Sequence, residues 1–325
     1  LIPYSKPCID EATKMSIKQY VDSDGWLTEY KITEAFEQAV CDYTGAEHAV
    51  AMCNGTMGLY AALKVCGIDS EDIVAAPAYT FVGTYNSIAL TKAKMLEIFV
   101  EDDTLCMEYG ALSQIIEYVD AVILVSLNGR YPHHAEDLFE LCEDRGVFVI
   151  EDACQSFGST YQGRHIGTFG DIGVYSFAPQ KIITTGQGCV CVTNNQYIAK
   201  RLRQMKNFGR IHPDSDCYEI LGFNFKFTDL QAAAGLGQLT SMQERIEKSR
   251  KLYKKYYDAL GGLPLQEGQA PIAFEYFNSL KSPNKIQFRE FYPNEANVKG
   301  VWLPFYPYMT EEESDKVISW IQSRS

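Results

Sequence analysis

The run Gly146-Val147-Phe148-Val149-Ile150 is apolar from end to end and stops at two carboxylates, Glu151 and Asp152. A short strand without polar alternation has no face to turn to water, so it belongs in a parallel sheet covered on both sides. Comparable runs recur at 48–52, 72–76, 95–100, 119–127, 172–177 and 189–193, separated by stretches of helical spacing at 59–65, 82–90, 134–145 and 197–207. Short buried strands alternating with amphipathic helices predict an α/β chain, with a mainly parallel central sheet and helices on both faces.

Ligands of such sheets gather at the carboxyl ends of the strands. Asp152 stands at one such end, and the run 172–177 delivers Lys181 just beyond another. A buried Asp and a Lys converging from separate strand ends suit pyridoxal phosphate. The Lys amine forms the Schiff base with the aldehyde, and the Asp keeps the pyridine nitrogen protonated. Taken alone, the two residues are equally well explained as a structural ion pair or as solvated loop residues.

Their surroundings shift that balance. Cys53-Asn54-Gly55-Thr56-Met57-Gly58 follows a strand and opens a helix. Free backbone N–H groups and the helix dipole make such a start an anion site, which assigns a phosphate to Gly55 and Thr56; a plain helix cap is the alternative. Pro77-Ala78-Tyr79-Thr80-Phe81 ends another strand, where Phe81 could stack on a flat ring, although a core aromatic is the commoner fate. Glycine-rich stretches at 167–173 and 184–188 flank Lys181 and let the backbone bend close to a ligand.

Elsewhere, spacing predicts helices over 11–21, over 33–43 with Thr33 as cap, and over 229–247. Beyond about residue 260, Pro and aromatic residues rise and periodicity weakens, so a large domain over 1–235 and a smaller C-terminal α+β domain over 236–325 are expected. The net charge of −13 argues against a nucleic-acid surface. The ten cysteines include no CxxC, and His133-His134 lacks zinc-type spacing to any cysteine pair, so no metal is expected and the thiols read as reduced. Cys189 and Cys191 should face one side of their strand. No run is long enough to span a bilayer and no basic-then-apolar leader is evident, so a cytoplasmic protein without membrane contact is expected.

An ordered set of motifs resembles the DegT/DnrJ/EryC1/StrS sugar aminotransferases, of fold type I among pyridoxal phosphate enzymes. It consists of Trp26-Leu27-Thr28, Cys53-Asn54-Gly55-Thr56, Pro77-Ala78-Tyr79-Thr80-Phe81 and Glu151-Asp152-Ala153-Cys154-Gln155. Tyr175-Ser176-Phe177 with Lys181, Thr184-Thr185-Gly186, the stretch from Gly222-Phe223-Asn224-Phe225 to Asp229 with Gln231-Ala232-Ala233, and Gly300-Val301-Trp302-Leu303-Pro304 complete it.

The resemblance implies that Lys181 is the Schiff-base lysine and proton shuttle, with Asp152 on the pyridine nitrogen, Gln155 beside the ring hydroxyl and Phe81 stacked on the ring. It implies that Gly55, Thr56 and Ser176 hold the phosphate and that Asn224 reaches it from the neighbouring subunit, making a homodimer with shared sites the expected assembly. Pyridoxal 5'-phosphate would pass through its pyridoxamine form, taking the amino group from L-glutamate and giving it to a nucleotide-linked sugar. Members with His in place of the lysine dehydrate sugars, so Lys181 favours the transferase. The Trp-Leu-Thr and Phe-Asn-Phe-Lys segments look most like 4-aminotransferases of 4-keto-6-deoxyhexoses, of the perosamine or viosamine type. Trp26, Thr28 and Arg289 are the candidate substrate contacts, a surface arginine being the plain alternative for the last.

Several departures stand out. Ser126 falls where relatives often carry His, and Gln187 and Cys189 where Glu and Gly are usual. The C-terminal part is short, with Phe288-Arg289-Glu290-Phe291-Tyr292-Pro293 running almost directly through Asn294 to the Trp302 segment. These departures leave room for a non-catalytic relative, or for a 3-aminotransferase or dehydratase of the same fold.

Overall fold

The computed structural model describes every residue except 214, 279, 281–285, 293–297 and 325; the junction at Pro293 and Asn294 therefore lies outside the described residues. The chain opens with α1 (Glu11–Asp22) and α2 (Lys31–Thr44). An alternating series follows: β1 (His48–Met52), α3 (Gly55–Val65), β2 (Ile73–Pro77), α4 (Val82–Thr91), β3 (Lys94–Ile98), α5 (Tyr109–Ser113), β4 (Ala121–Val125), α6 (Ala135–Arg145) and β5 (Phe148–Asp152). A small hairpin, β6 (Thr160–Tyr161) and β7 (Arg164–His165), precedes β8 (Ile172–Ser176), β9 (Cys189–Thr193), α7 (Gln196–Lys206), α8 (Asp229–Leu239) and α9 (Met242–Leu260). The C-terminal part holds β10 (Phe274–Tyr276), β11 (Arg289–Glu290), β12 (Val301–Leu303) and α10 (Glu311–Gln322).

Seven strands form the central sheet in the order β1-β9-β8-β5-β4-β2-β3. The pairs from β8 through β5, β4 and β2 to β3 are parallel, while β9 runs antiparallel to both neighbours. Alternate residues feed the two faces: Ala49, Ala51, Val149, Tyr175, Val190 and Val192 pack on one side, Val50, Met52, Ile150, Val174, Cys189 and Cys191 on the other. The two strand cysteines thus share a face, as their spacing predicts. They lie against α3 at Gly58, where an added Cβ would sit 2.8 Å from Cys189 Sγ and 2.9 Å from Val174. A bare glycine is what lets this helix settle onto the sheet. Glu151, wholly buried, accepts from Tyr131 Oη and from the N–H groups of Gly167, Phe169 and Gly170, so it shapes the glycine-rich turn before β8.

Several expected boundaries shift for identifiable reasons. Gly146 closes α6 in the left-handed region (φ 66°), so the strand starts at Phe148 and Asp152 becomes its last residue. The helix after β1 starts at Gly55, not residue 59, because the Asn54 side chain caps it by accepting from Met57 N–H. Thr33 is not the cap of α2 but lies inside it. The cap is supplied from across the fold by Asp229, whose carboxylate accepts from the N–H groups of Tyr30, Ile32 and Thr33 and from Thr33 Oγ1. The helix expected over 229–247 breaks between α8 and α9. There the Ser241 hydroxyl donates to Asp10 and accepts from Arg245 Nε, and Thr240 Oγ1 donates to Gly237 O, local bonds that compete with helix continuation.

The antiparallel sheet β10-β12-β11 packs with α9 and α10 over a second core including Tyr253, Tyr256, Phe274, Leu303, Val317 and Ile321. It is tied to the loop after β4 by a buried ion pair, in which Arg130 Nη1 and Nη2 lie 3.1 and 2.7 Å from the Glu275 carboxylate. Asn128, in the left-handed region at φ 54°, donates to Glu275 and to Ala273 O and accepts from the N–H groups of Ile272 and Ala273. Among the described residues, no helix is long and apolar enough to cross a membrane.

Candidate active site

Because β1, β2, β5 and β8 all point the same way, their carboxyl ends open onto one edge of the sheet. A cleft of about 390 Å³ lies there. Gly55, Thr56, Phe81, Asp152, Gln155, Ser176, Lys181 and Arg289 all line it, so eight of the residues singled out in the sequence converge from separate segments.

Asp152 is buried, and both its oxygens are already engaged. Thr84 Oγ1 donates to Oδ2 at 2.8 Å, and the Cys154 N–H donates to Oδ1 at 3.2 Å. Lys181 arrives from the far side of Ser176, on the turn after β8. Burial pushes its amine below the usual lysine range, against the pull of Cys154 and Asp152. Such an amine surrenders and recovers a proton more readily than a solvated lysine.

The start of α3 forms one wall. The N–H groups of Gly55 and Thr56 have no intrahelical acceptor, and both residues face the cleft together with Ser176. An added Cβ on Gly55 would lie 2.8 Å from Cys154 Sγ, so nothing larger than glycine leaves this cradle open. Phe81 caps the start of α4 and stays 44% exposed, its ring 5.6 Å from that of Tyr292. Gln155 is oriented from two sides, accepting from Asn128 N–H at 3.1 Å and donating to Tyr292 Oη at 3.4 Å. Arg289 sits among the rings of Tyr4, Tyr292 and Trp302, 5.8, 5.5 and 5.3 Å from their centres. Among the described residues no carboxylate lies within ion-pair distance of it.

Trp26, Thr28 and Asn224 are not brought into this cleft. Trp26 is 78% exposed and stacks near Tyr30, and Thr28 and Asn224 are exposed too. The start of α8 is nonetheless tied to the segment holding Thr28: Thr28 O accepts from Asp229 N–H, and Asp229 caps α2. Ser126 is buried behind the cleft, its N–H donating to Asp152 O and its carbonyl accepting from Ser156 Oγ. Gln187 does line the cleft, its carbonyl held by Gln231 Nε2 and Thr185 Oγ1. Away from the cleft, Glu101, Asp103 and His133 bring ligand atoms within 4.8 Å of one another, but they already bond to each other.

Sequence reasoning gave no role to Thr80, Thr84, Tyr292 or the Arg130–Glu275 pair. The threonines carried little signal, since Thr80 precedes the extended cap Phe81 and helical spacing does not reach it. Tyr292 carried none, because its position depends on how β11 meets β12.

The arrangement fits pyridoxal phosphate: a bare-glycine cradle at a helix start for the phosphate, a flat space beside Phe81, a buried carboxylate and an amine of lowered basicity. The profile of the DegT/DnrJ/EryC1/StrS aminotransferase family matches residues 7–273. GDP-perosamine synthase of Escherichia coli O157:H7 is 32% identical over 263 residues, covering 80% of this chain and 72% of that protein. GDP-perosamine synthase of Vibrio cholerae is 29% identical over 268 residues, 82% of this chain and 72% of that one. Among solved structures, Spr1654 of Streptococcus pneumoniae in its PMP form superposes with a TM-score of 0.89 at 21% identity, over 99% of this chain and 97% of that one. The cleft, the matched profile and these relatives together establish that this chain belongs to the DegT/DnrJ/EryC1/StrS family of pyridoxal phosphate-dependent sugar aminotransferases.

Proposed function

We propose that the chain moves an amino group from L-glutamate to the C4 keto carbon of a nucleotide-linked 4-keto-6-deoxyhexose, giving a 4-amino-4,6-dideoxy sugar nucleotide of the perosamine or viosamine type. The observation that carries the reading is the convergence of Lys181, Asp152 and the Gly55–Thr56–Ser176 cradle in one cleft; the two GDP-perosamine synthases support the choice of carbon.

Bound there, pyridoxal phosphate supplies an electron sink for the charge left when an α proton is removed. Asp152, fixed by Thr84 and the Cys154 N–H, presents a carboxylate to the ring nitrogen. Lys181, its basicity reduced by burial, takes and returns the proton on the reacting face. Gly55, Thr56 and Ser176 anchor the phosphate, Phe81 covers the ring, and Gln155 meets its hydroxyl. Arg289, caged by aromatic rings, contacts an anionic group of the substrate.

In this reading the working unit is a homodimer. Asn224 reaches the phosphate of the partner's site, and Trp26 and Thr28, on the segment tied to the start of α8 through Asp229, contact the sugar substrate.

The test is incubation of cofactor-loaded protein with glutamate and a panel of GDP-, UDP- and dTDP-linked 4-keto sugars, the product being identified by mass and NMR. An amine at C4 is expected; an amine at C3, dehydration or no product overturns the proposal. Lys181→Ala is expected to fold, by circular dichroism, yet to lose steady turnover.

A further inference from the structure

Thr84 and Thr80 form a hydroxyl chain that ends on Asp152. Thr84 Oγ1 lies 2.8 Å from Asp152 Oδ2, and Thr80 Oγ1 lies 2.8 Å from Thr84 Oγ1. Both threonines are almost wholly buried, at 1% and 3% exposure, so the bonds are not shared with bulk solvent. Their direction follows from donor arithmetic. An ionised carboxylate only accepts, and a hydroxyl has one proton to give. Thr84 therefore spends its proton on Asp152 and must accept from Thr80, which leaves Thr80 donating. The polarity runs Thr80 to Thr84 to Asp152, and each bond in such a chain strengthens the next.

The backbone supports the same direction. Thr84 lies in the first turn of α4, whose unpaired N–H groups place partial positive charge near the carboxylate. The Cys154 N–H adds a second donor on the opposite oxygen. Gly83 keeps the turn open, since an added Cβ there would lie 2.9 Å from Thr56 Oγ1 and 3.0 Å from the Phe81 ring.

We propose that Thr84, backed by Thr80, is a positioning residue that orients the Asp152 carboxylate toward the cofactor's pyridine nitrogen, so that the proton between them resides on the nitrogen. A hydrogen bond donated to a carboxylate favours its charged form and lowers its hold on a proton. A carboxylate buried without those donors would draw the proton onto itself, and a ring without that proton is a poorer electron sink. Both threonines line the cleft beside Asp152, and the role proposed for their hydroxyls runs through that carboxylate.

The proposal rests on the placement of Asp152 against the pyridine nitrogen, and the experiment separates the two ideas. Pyridoxal phosphate labelled with ¹⁵N in the ring is bound to the full-length protein, and the ring-nitrogen chemical shift is read by NMR. Wild type is expected at the protonated-pyridinium position and Asp152→Asn at the unprotonated one. A wild-type resonance at the unprotonated position, unmoved by Asp152→Asn, refutes the placement itself. Given a pyridinium in wild type, Thr84→Val is expected to move the resonance toward the unprotonated position, and Thr84→Ser to leave it in place. Thr80→Val, which leaves the Thr84–Asp152 bond intact, is expected to move it the same way by a smaller amount and keeps the test open if Thr84→Val fails to fold. A merely structural threonine predicts lower stability with no movement. An unmoved resonance in Thr84→Val, or in Thr80→Val if the former does not fold, overturns the proposal, as does a Thr84→Ser variant that moves as far as Thr84→Val.

Discussion

Glu275→Ala is the perturbation whose effect can be followed furthest from the coordinates. The Glu275 carboxylate accepts from Arg130 Nη1 at 3.1 Å, from Arg130 Nη2 at 2.7 Å and from Asn128 Nδ2 at 2.9 Å, and neither charged side chain is more than 1% exposed. Truncation leaves Asn128 its bond to Ala273 O at 3.0 Å, so the amide loses little. Among the described residues, Arg130 then retains only the Tyr253 hydroxyl at 3.2 Å, and its Nε has no partner. A guanidinium keeps its proton in any protein environment, so Arg130 cannot escape the loss of Glu275 by neutralising itself. A buried cation stripped of its counter-charge costs about 3–5 kcal/mol. At an m-value of about 3 kcal/mol/M that lowers the urea midpoint by about 1–2 M. The penalty belongs to the orphaned charge and not to lost attraction, so Arg130→Met combined with Glu275→Leu should recover most of it. Urea titration followed by far-ultraviolet circular dichroism measures both. A Glu275→Ala midpoint within about 0.3 M of wild type would falsify this account of the pair, and so would a double variant as unstable as the single one.

Three further outcomes are expected. Gly55→Ala puts a Cβ 2.8 Å from Cys154 Sγ, so it should weaken pyridoxal phosphate binding by about 5- to 150-fold, the equivalent of about 1–3 kcal/mol of overpacking; Cys154→Ala in the same chain should restore affinity, as read by cofactor absorbance titration. Asp229→Ala strips the start of α2 of an acceptor shared by three N–H groups and the Thr33 hydroxyl, and should cost about 2 kcal/mol or somewhat more in urea unfolding; a loss below about 0.5 kcal/mol would contradict the capping role. Burial pushes His165 below the ordinary imidazole range, with its ring 4.8 Å from that of Tyr43. The unfolded chain then binds a proton the folded one resists, so stability should fall as pH drops through about 6.5 toward the folded pKa; His165→Phe should flatten that slope, and an unchanged slope would count against it.

Much of the site was legible in the sequence because parallel strands impose a rule. Runs buried on both faces must lie side by side and point one way, and whatever follows each run then stands on one edge. That is why Gly55, Phe81, Asp152 and Lys181 could be grouped from the sequence across more than a hundred residues of chain, while Ser176 entered only through the family resemblance. Local chemistry marked Gly55 and Thr56 as an anion site near a helix start but put the helix itself four residues late, because the Asn54 cap went unread. It misled at α2, where the capping carboxylate comes from Asp229 and no local pattern reveals a partner so distant. It misled again at 229–247, where the bond between Ser241 and Asp10 decides that one helix becomes two.

What the sequence determined by itself is the α/β layering and the residues that share the carboxyl edge, because burial on two faces and strand direction are properties of short segments. What only the tertiary structure decided is how that edge is finished. The donors that fix Asp152, the ring of Tyr292 against Phe81 and Gln155, the caging of Arg289 and the Arg130–Glu275 tie all join segments whose mutual distance no periodicity encodes. Hydrogen bonds and ion pairs act over about 3 Å, so their partners exist only once packing has chosen which surfaces meet.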